Sequence, residues 1–310
     1  MLVPCRLSPC VLQVNVERRG FMNRIKFSWP KGKEGALTTS WDDGTKHDRR
    51  LTAIFNKYGL KATWNINSGI FDFTGKIIFR KRINRIIFGA KEEKNYKKYF
   101  INERELAKLF KGHEVAVHAQ EHPHLWRCPD SVIFSEVVED RRNLEKLTGY
   151  PVRGMAYPCS DTNDERVKTV LRKAGIVYSR SVENISNFEL PGDFLHWTPT
   201  CHQSADFRDL WQKFLKNTDN SQKLFYLWGH SFEFARDDSW ERIEEFAKLT
   251  GRNPKIWYAT NMEIYSYVAA WNALSCSVNM SSIENISGET VWFRLNEKLY
   301  NIDAGKVMRL

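Results

Sequence analysis

The sequence predicts an α/β fold built around a parallel β-sheet, and two observations support this prediction. From Ala36 onward, short apolar runs alternate with stretches whose apolar residues recur at helical spacing, which is the pattern of consecutive β-α units. The chain has 310 residues, of which 42% are hydrophobic, so it can bury a substantial core. We therefore expect six or seven β-α units arranged as a parallel sheet or barrel.

The first unit is the best defined of the series. Residues 37–41 form the first predicted strand, Asp48 to Tyr58 form a helix that ends at Gly59, and residues 61–67 form the second strand. The remaining predicted helices cover residues 102–110, 131–147, 164–174, 207–215, 240–249 and 261–274, and the remaining strands cover residues 114–118, 153–157, 176–179, 224–228 and 256–258. Asn102 and either Asp130 or Ser131 are the expected caps of the first two of these helices.

Three segments depart from this alternation. Residues 1–21 are expected to be an N-terminal extension outside the barrel of residues 22–274, and residues 69–100 interrupt the barrel as a basic, aromatic insertion. Because the insertion follows a barrel strand, we expect it at the rim of the site. From about residue 275, short alternating segments at 289–295 and 298–302 predict a small β appendage.

Composition limits the classes of partner. Lys and Arg exceed Asp and Glu by 10, and residues 76–98 alone hold nine basic and two acidic residues. Such a run is usually a solvated face, and no groove motif with interleaved aromatic residues accompanies it, so nucleic acid is not an expected partner. No apolar run approaches the roughly 20 residues needed to cross a bilayer. The six cysteines form no Cys-x-x-Cys pair and the N-terminus matches a signal peptide poorly, so we expect a cytoplasmic protein.

The stretch Ser40-Trp41-Asp42-Asp43-Gly44 places two adjacent carboxylates directly after the first strand. Adjacent carboxylates that are not solvated repel each other unless a cation or a shared proton separates them. Gly44 allows the backbone to turn so that both side chains converge. An Asp-Asp-Gly surface turn is the alternative when this stretch is taken alone.

A pair of histidines, His118 and His122, follows a later strand. Continued strand would hold the two rings about 13 Å apart, whereas a turn brings such a pair to roughly 6 Å. Pro123 makes continued strand unfavourable, so we expect the turn. A pair of capping or core histidines is the alternative, and His124 is a competing ligand.

These groups together predict a catalytic metal site. Two histidines and one aspartate at the ends of neighbouring strands give three ligands and leave positions open for water. The remaining aspartate is then available as a base. His230, directly after the apolar strand that ends Leu-Trp-Gly, is a candidate proton donor.

Four motifs in this order resemble those of the polysaccharide deacetylases, also known as carbohydrate esterase family 4 or the NodB-homology family. They are Ser-Trp-Asp42-Asp43-Gly, His118-x-x-x-His122, Arg153-Gly-Met-Ala-Tyr157-Pro and Leu-Trp-Gly-His230. The resemblance covers about residues 36–270. It implies a distorted (β/α)7 barrel and a divalent metal that hydrolyses N-acetyl or O-acetyl groups on an acetylated carbohydrate. The metal is most commonly Zn²⁺, with Co²⁺, Ni²⁺ and Mn²⁺ as alternatives.

The resemblance also implies residue roles. Asp42 matches the catalytic base and His230 the general acid, while Asp43, His118 and His122 match the metal ligands. The backbone N–H of Cys159 matches an oxyanion donor, and Tyr157 belongs to the same oxyanion and substrate group. Trp197 resembles the aromatic residue of the fourth motif at the substrate site, and packing in the core is the alternative for it.

The third motif departs from the family pattern, because Ala156 occupies the usual arginine position and Cys159 an aromatic one. Arg153 is one candidate to replace that arginine. Two other functions stay open: a metal-dependent amidohydrolase acting on a small N-acyl compound, and an inert sugar-binding barrel.

Overall fold

The structure is a computed structural model that describes residues 25–71, 99–159 and 163–310. Its strands, in chain order, are β1 (Ile25–Ser28), β2 (Gly35–Asp42), β3 (Thr63–Ile66), β4 (Glu114–Val117), β5 (Gly154–Ala156), β6 (Tyr178–Arg180), β7 (Cys201–His202), β8 (Leu224–Gly229), β9 (Ile256–Tyr258), β10 (Leu274–Cys276), β11 (Ser282–Asn285), β12 (Val291–Leu295), β13 (Lys298–Ile302) and β14 (Val307–Arg309). The predicted extension, residues 1–21, and residues 72–98 of the predicted insertion lie outside the described residues.

The central sheet is parallel and curls into a partial barrel. Its strand order is β6-β5-β4-β3-β2-β8-β7, and β9 also pairs with β2. Every residue of β2, β3, β4 and β8 is buried, as expected for strands covered on both faces. The α/β fold with a barrel-like parallel sheet is therefore confirmed. Since neighbouring strands run in the same direction, their carboxyl ends gather at one edge.

Eight α-helices cover the sheet within the described residues. They are α1 (Asp48–Tyr58), α2 (Glu103–Leu109), α3 (Asp130–Thr148), α4 (Glu165–Lys173), α5 (Phe207–Lys216), α6 (Ser231–Arg236), α7 (Trp240–Thr250) and α8 (Asn261–Asn272). Asn102 caps α2 through a capping box, as predicted. The predicted cap of α3 is wrong, because that helix begins at Asp130 and its cap position is Pro129. The sequence pattern also missed the short helix α6.

Two antiparallel sheets of three strands lie beside the barrel. Strands β12 and β13 form the predicted hairpin, and β1 pairs with β12 so that Ile25 lies opposite Leu295. Strand β11 pairs with both β10 and β14. The segment that precedes the barrel thus shares a sheet with the segment that follows it. No helix among the described residues is long and apolar enough to span a membrane.

Candidate active site

The two aspartates lie at the end of β2, where the chain turns sharply. Asp42 is the last residue of the strand, and Asp43 and Gly44 follow with φ angles of 78° and 63°. A non-glycine residue in the left-handed region is strained, and such strain concentrates at functional sites. Both carboxylates are buried. The alternative of an exposed Asp-Asp-Gly surface turn is therefore wrong.

The histidine pair lies on a loop that leaves β4 and turns at once. Ala119 and His122 both have positive φ angles, 60° and 53°, and the rings of His118 and His122 are 4.7 Å apart between centroids. The side-chain amide of Asn67 donates to the carbonyl oxygens of His118 and Ala119 and so fixes the start of the loop. The predicted turn, rather than continued strand, brings the two imidazoles together.

Asp43, His118 and His122 form one compact group. Asp43 Oδ1 lies 3.7 Å from His118 Nε2 and 3.6 Å from His122 Nε2, and one potential ligand atom from each residue lies within 4.8 Å of the others. His118 Nδ1 is 2.9 Å from the carbonyl oxygen of Ala156, which must accept from an N–H, so Nε2 is left as the lone-pair nitrogen. Asp43 Oδ1 is buried and has no hydrogen-bond partner among the described residues.

These three residues fit a divalent cation. Burial lowers the pKa of His118 and of His122 to about 4, so both rings are neutral at pH 7 and can act as ligands. Burial also raises the pKa of Asp43, and a cation beside its unpartnered oxygen would reverse that cost. His124 does not belong to this group.

Asp42 has a different environment, because its carboxylate is paired with a buried arginine. An Arg180 Nη2 group forms a short ion pair with Asp42 Oδ2, and the Asn65 amide donates to Oδ1 over 2.8 Å. Burial opposes ionisation, but Arg180 and the nearby histidines outweigh it and lower the pKa of Asp42 to about 2. Asp42 is therefore ionised at neutral pH.

Arg180 is the functional residue that sequence reasoning missed. It ends β6, lies opposite Ala156 of β5 in the strand register, and is fully buried over the Trp228 ring. Arg153 does not replace the missing arginine, because its side chain is exposed and it precedes β5. One feature of the sequence could have identified it: an arginine comes directly after the predicted strand 176–179. A charged residue at a strand end in a buried sheet needs a partner.

His230 follows β8 and faces both aspartates. Its Nε2 lies 3.9 Å from Asp42 Oδ2 and 3.9 Å from Asp43 Oδ2. On the other side of the ring, Nδ1 lies 3.7 Å from Glu233 Oε1, which is an ion-pair distance but too long for a hydrogen bond. Burial lowers the pKa of His230, but Glu233, Asp43 and Asp42 together raise it to about 9. Asp193, another acidic residue that could have served His230, instead pairs with Lys168.

The three predicted substrate contacts differ in position. Cys159 is exposed beside the site, with Sγ 3.2 Å from His122 Nδ1; its backbone role stays a prediction. The prediction that Tyr157 and Trp197 contact substrate is wrong, since each side chain is about 1% exposed. The Tyr157 hydroxyl donates to the Leu195 carbonyl, and Trp197 packs against aromatic rings of the core.

The described ends of the insertion are attached to both ligand loops. On one side, Gly69 N–H donates to the carbonyl of Gln120, which lies between His118 and His122 in the sequence. On the other side, the N–H of Lys46, three residues after Asp43, donates to the carbonyl of Tyr99 over 2.7 Å. A Cβ on Gly69 would lie 2.3 Å from the Gln120 oxygen, so only glycine allows this approach. The two points where the chain enters and leaves residues 72–98 therefore lie beside the site.

Comparison with solved structures supports the fold. A Mycobacterium smegmatis protein assigned as a polysaccharide deacetylase superposes with a TM-score of 0.55 at 17% identity, covering 80% of this chain and 94% of that one. The Puue allantoinase superposes with a TM-score of 0.52 at 12% identity, covering 76% and 91%. No curated protein matches the sequence significantly.

The family comparison covers the part of the chain that carries the two aspartates and the histidine pair. Residues 30–179 match the family model described as polysaccharide deacetylase. The matched segment contains Asp42, Asp43, His118 and His122, and it ends before His230. Just under half of the chain therefore matches this family model, which supports the family resemblance over the first three motifs.

Proposed function

We propose that the protein is a metal-dependent hydrolase that removes N-acetyl or O-acetyl groups from a carbohydrate. The observation that carries this proposal is the buried, unpartnered Oδ1 of Asp43 between two neutral imidazoles. A structural site would satisfy that oxygen from within the protein. The family match supports the deacetylase reaction, and the intact acid, base and ligand set argues against an inert barrel.

Asp43, His118 and His122 would hold the cation. Zn²⁺ is the expected ion, because a set of two imidazoles and one carboxylate suits zinc, with Co²⁺, Ni²⁺ and Mn²⁺ as alternatives. When bound, such a cation polarises a carbonyl oxygen and lowers the pKa of water from 15.7 toward about 7.

The chain's own residues divide the proton transfers. Asp42 is kept ionised by Arg180 and oriented by Asn65, so it accepts the proton of the attacking water. His230 is kept protonated by the carboxylates around it, and its Nε2 points toward Asp42 and Asp43, so it donates a proton to the departing amine or alcohol. The backbone N–H of Cys159 is the proposed donor to the developing oxyanion.

One assay separates this proposal from its competitors. Acetate release is measured from acetylated chitooligosaccharide, acetylated xylan and a small acetamide, with and without chelator. We expect release from a carbohydrate that chelator abolishes and added Zn²⁺ restores. Release from the small acetamide alone would identify an amidohydrolase. Metal binding without release from any substrate would identify an inert barrel.

The ligand set has its own test. His122→Ala should lose the cation, whereas His196→Ala, a histidine outside both metal-binding groups of the described residues, should retain it. Elemental analysis after dialysis reads out both variants. Full metal content in His122→Ala would show that His122 is not a ligand and would make His124 the candidate ligand.

A further inference from the structure

A second group of metal-ligating side chains lies beside the first. His202 ends β7, His230 follows β8, and Glu233 belongs to α6; one potential ligand atom from each lies within 4.8 Å of the others. His202 Nε2 is 3.1 Å from Glu233 Oε2, and His230 Nδ1 is 3.7 Å from Glu233 Oε1. The carboxylate therefore lies between two imidazoles, as Asp43 does in the first group.

The imidazole nitrogens are already oriented toward this point. His202 Nδ1 accepts from the Ser204 backbone N–H at 3.3 Å and contacts the Ser204 hydroxyl at 2.8 Å, so Nε2 carries the ring proton and faces Glu233. Gln203 Nε2 donates to Glu233 Oε2 over 2.8 Å and fixes the carboxylate. His230 Nδ1 is buried and has no hydrogen-bond partner among the described residues, although it points at this carboxylate. Both groups thus contain a buried polar atom that the described protein leaves unpaired.

His230 faces the two groups with different nitrogens. Its Nε2 faces Asp42 and Asp43, and its Nδ1 faces Glu233. We propose that His202, Glu233 and Nδ1 of His230 form a second site for a divalent transition-metal cation such as Zn²⁺, and that filling this site inhibits the enzyme. The second site binds more weakly than the first, because the cation must displace the protons on His230 Nδ1 and His202 Nε2 and compete with Gln203 for the carboxylate.

The inhibition follows from the loss of a proton from His230, and this part of the inference rests on the proposed function. Binding releases two protons to solvent, one from His230 Nδ1 and one from His202 Nε2, and the lone pair of each nitrogen then forms a bond to the cation. The His230 ring keeps its Nε2–H but is no longer an imidazolium, so it becomes a weaker donor to a leaving amine. Amide substrates should therefore be inhibited more than activated aryl esters, whose leaving group needs no proton.

Zinc stoichiometry tests the site independently of activity. Equilibrium dialysis with Zn²⁺ followed by elemental analysis should give two equivalents for the native chain and for His196→Ala. It should give one equivalent for His122→Ala and one for His202→Ala, and none for the double variant. His202→Gln, which retains a polar side chain, should behave like His202→Ala if the loss reflects coordination, and thermal unfolding checks that both variants fold.

Activity tests the consequence. The second zinc equivalent should slow amide deacetylation by the native chain at least tenfold and should leave His202→Ala at its own one-equivalent rate. A single equivalent in the native chain, or a second equivalent that persists in both His202 variants, overturns the site. Two equivalents with no change in amide rate overturn the inhibition. A native chain that binds two equivalents but releases no acetate refutes the proposed function and leaves the second site standing.

Discussion

The two ends of the parallel sheet differ in how they surround a buried carboxylate. At the amino end, the Glu114 carboxylate accepts hydrogen bonds from the Tyr178 hydroxyl, the Thr63 hydroxyl and the Met262 N–H, at 2.6 to 2.9 Å. At the carboxyl end, Asp43 Oδ1 is equally buried and has no hydrogen-bond partner among the described residues. Burial raises the pKa of both carboxyl groups, that of Glu114 to about 7.

This difference distinguishes a structural carboxylate from one built for a ligand. A buried oxygen without a partner costs about 1–3 kcal/mol, and more when it is charged. Binding of the proposed cation would recover this cost at Asp43. Glu114 needs nothing from outside the protein, so its role is to join β4 to its neighbours.

The largest expected effect is a direct test of this contrast. Asp43→Asn and Glu114→Gln make the same change, carboxylate to amide, at the two ends of the sheet. Asp43→Asn should lose the cation and with it activity, by more than the roughly 10–100-fold that loss of an outer-shell partner costs. Glu114→Gln should retain both. Metal content and acetate release measure the outcome, and equal metal content in the two variants would break the comparison.

The next effect concerns Asp42, the second carboxylate at the carboxyl end. Asp42→Asn should keep the fold and the cation but lose at least about 10²-fold in rate, the usual contribution of a general base. Metal analysis beside steady-state rates separates this variant from Asp43→Asn. Metal loss in Asp42→Asn would show that the two aspartates are not divided between base and ligand.

Arg180→Met sharpens the same assignment. Without the guanidinium, burial should raise the pKa of Asp42 above its ordinary 3.8, so the acidic limb of the pH–rate profile moves to higher pH. Removing one partner of a buried ion pair should also destabilise the fold by about 3–5 kcal/mol. In the native chain this stabilisation is present above pH 3.8 and is lost as the pH falls through about 2. An acidic limb at the same pH as in the native chain would show that Arg180 does not control the pKa of Asp42.

His230 and Glu233 set the other limb of that profile. His230→Ala should lose about 10²–10⁴-fold on amide substrates and less on activated esters. Because the pKa of His230 is about 9, activity on amides should fall as the pH rises through that value. Glu233→Gln should lower this pKa and move the basic limb to lower pH. Equal losses of His230→Ala on both substrate types would make His230 an oxyanion donor or a structural residue.

The basic insertion should affect substrate choice rather than chemistry. Its described ends contact the loops that carry Asp43 and the two histidines, so deletion of residues 72–98 should change relative rates among acetylated substrates while metal content stays constant. Comparison of chitooligosaccharide with acetylated xylan measures the change. If the deletion variant folds and has the same rates as the native chain on every substrate, the insertion has no role in substrate choice and is a solvated surface segment.

The smallest effect on activity is expected for Glu114→Gln. The quantity that this variant should change is the pH dependence of the free energy of unfolding. The folded-state pKa of about 7 lies above the ordinary 4.5, so the folded protein holds a proton that the unfolded chain has lost. Native stability should therefore decrease between pH 4.5 and 7, by roughly 3 kcal/mol at 1.36 kcal/mol per pH unit. Glu114→Gln should lack this decrease. Denaturant unfolding at both pH values measures it, and identical slopes in the two proteins would contradict the buried titration.

The sequence by itself determined the elements and the chemistry of the site. Alternating periodicity predicted the parallel sheet, because strands and helices each impose a repeat on nearby residues. The pairs Asp42-Asp43 and His118-His122 were found for the same reason, since each pair lies within five consecutive residues. Local turns then bring the members of each pair together.

Only the tertiary structure decided which distant residues support the site. Arg180 pairs with Asp42 across 138 positions of the chain because β6 and β2 belong to the same curled sheet. Tyr157 and Trp197 have suitable side chains, but the fold turns both into the core. Strand neighbours and side-chain direction arise from packing across the whole sheet, and no local pattern of residues encodes them.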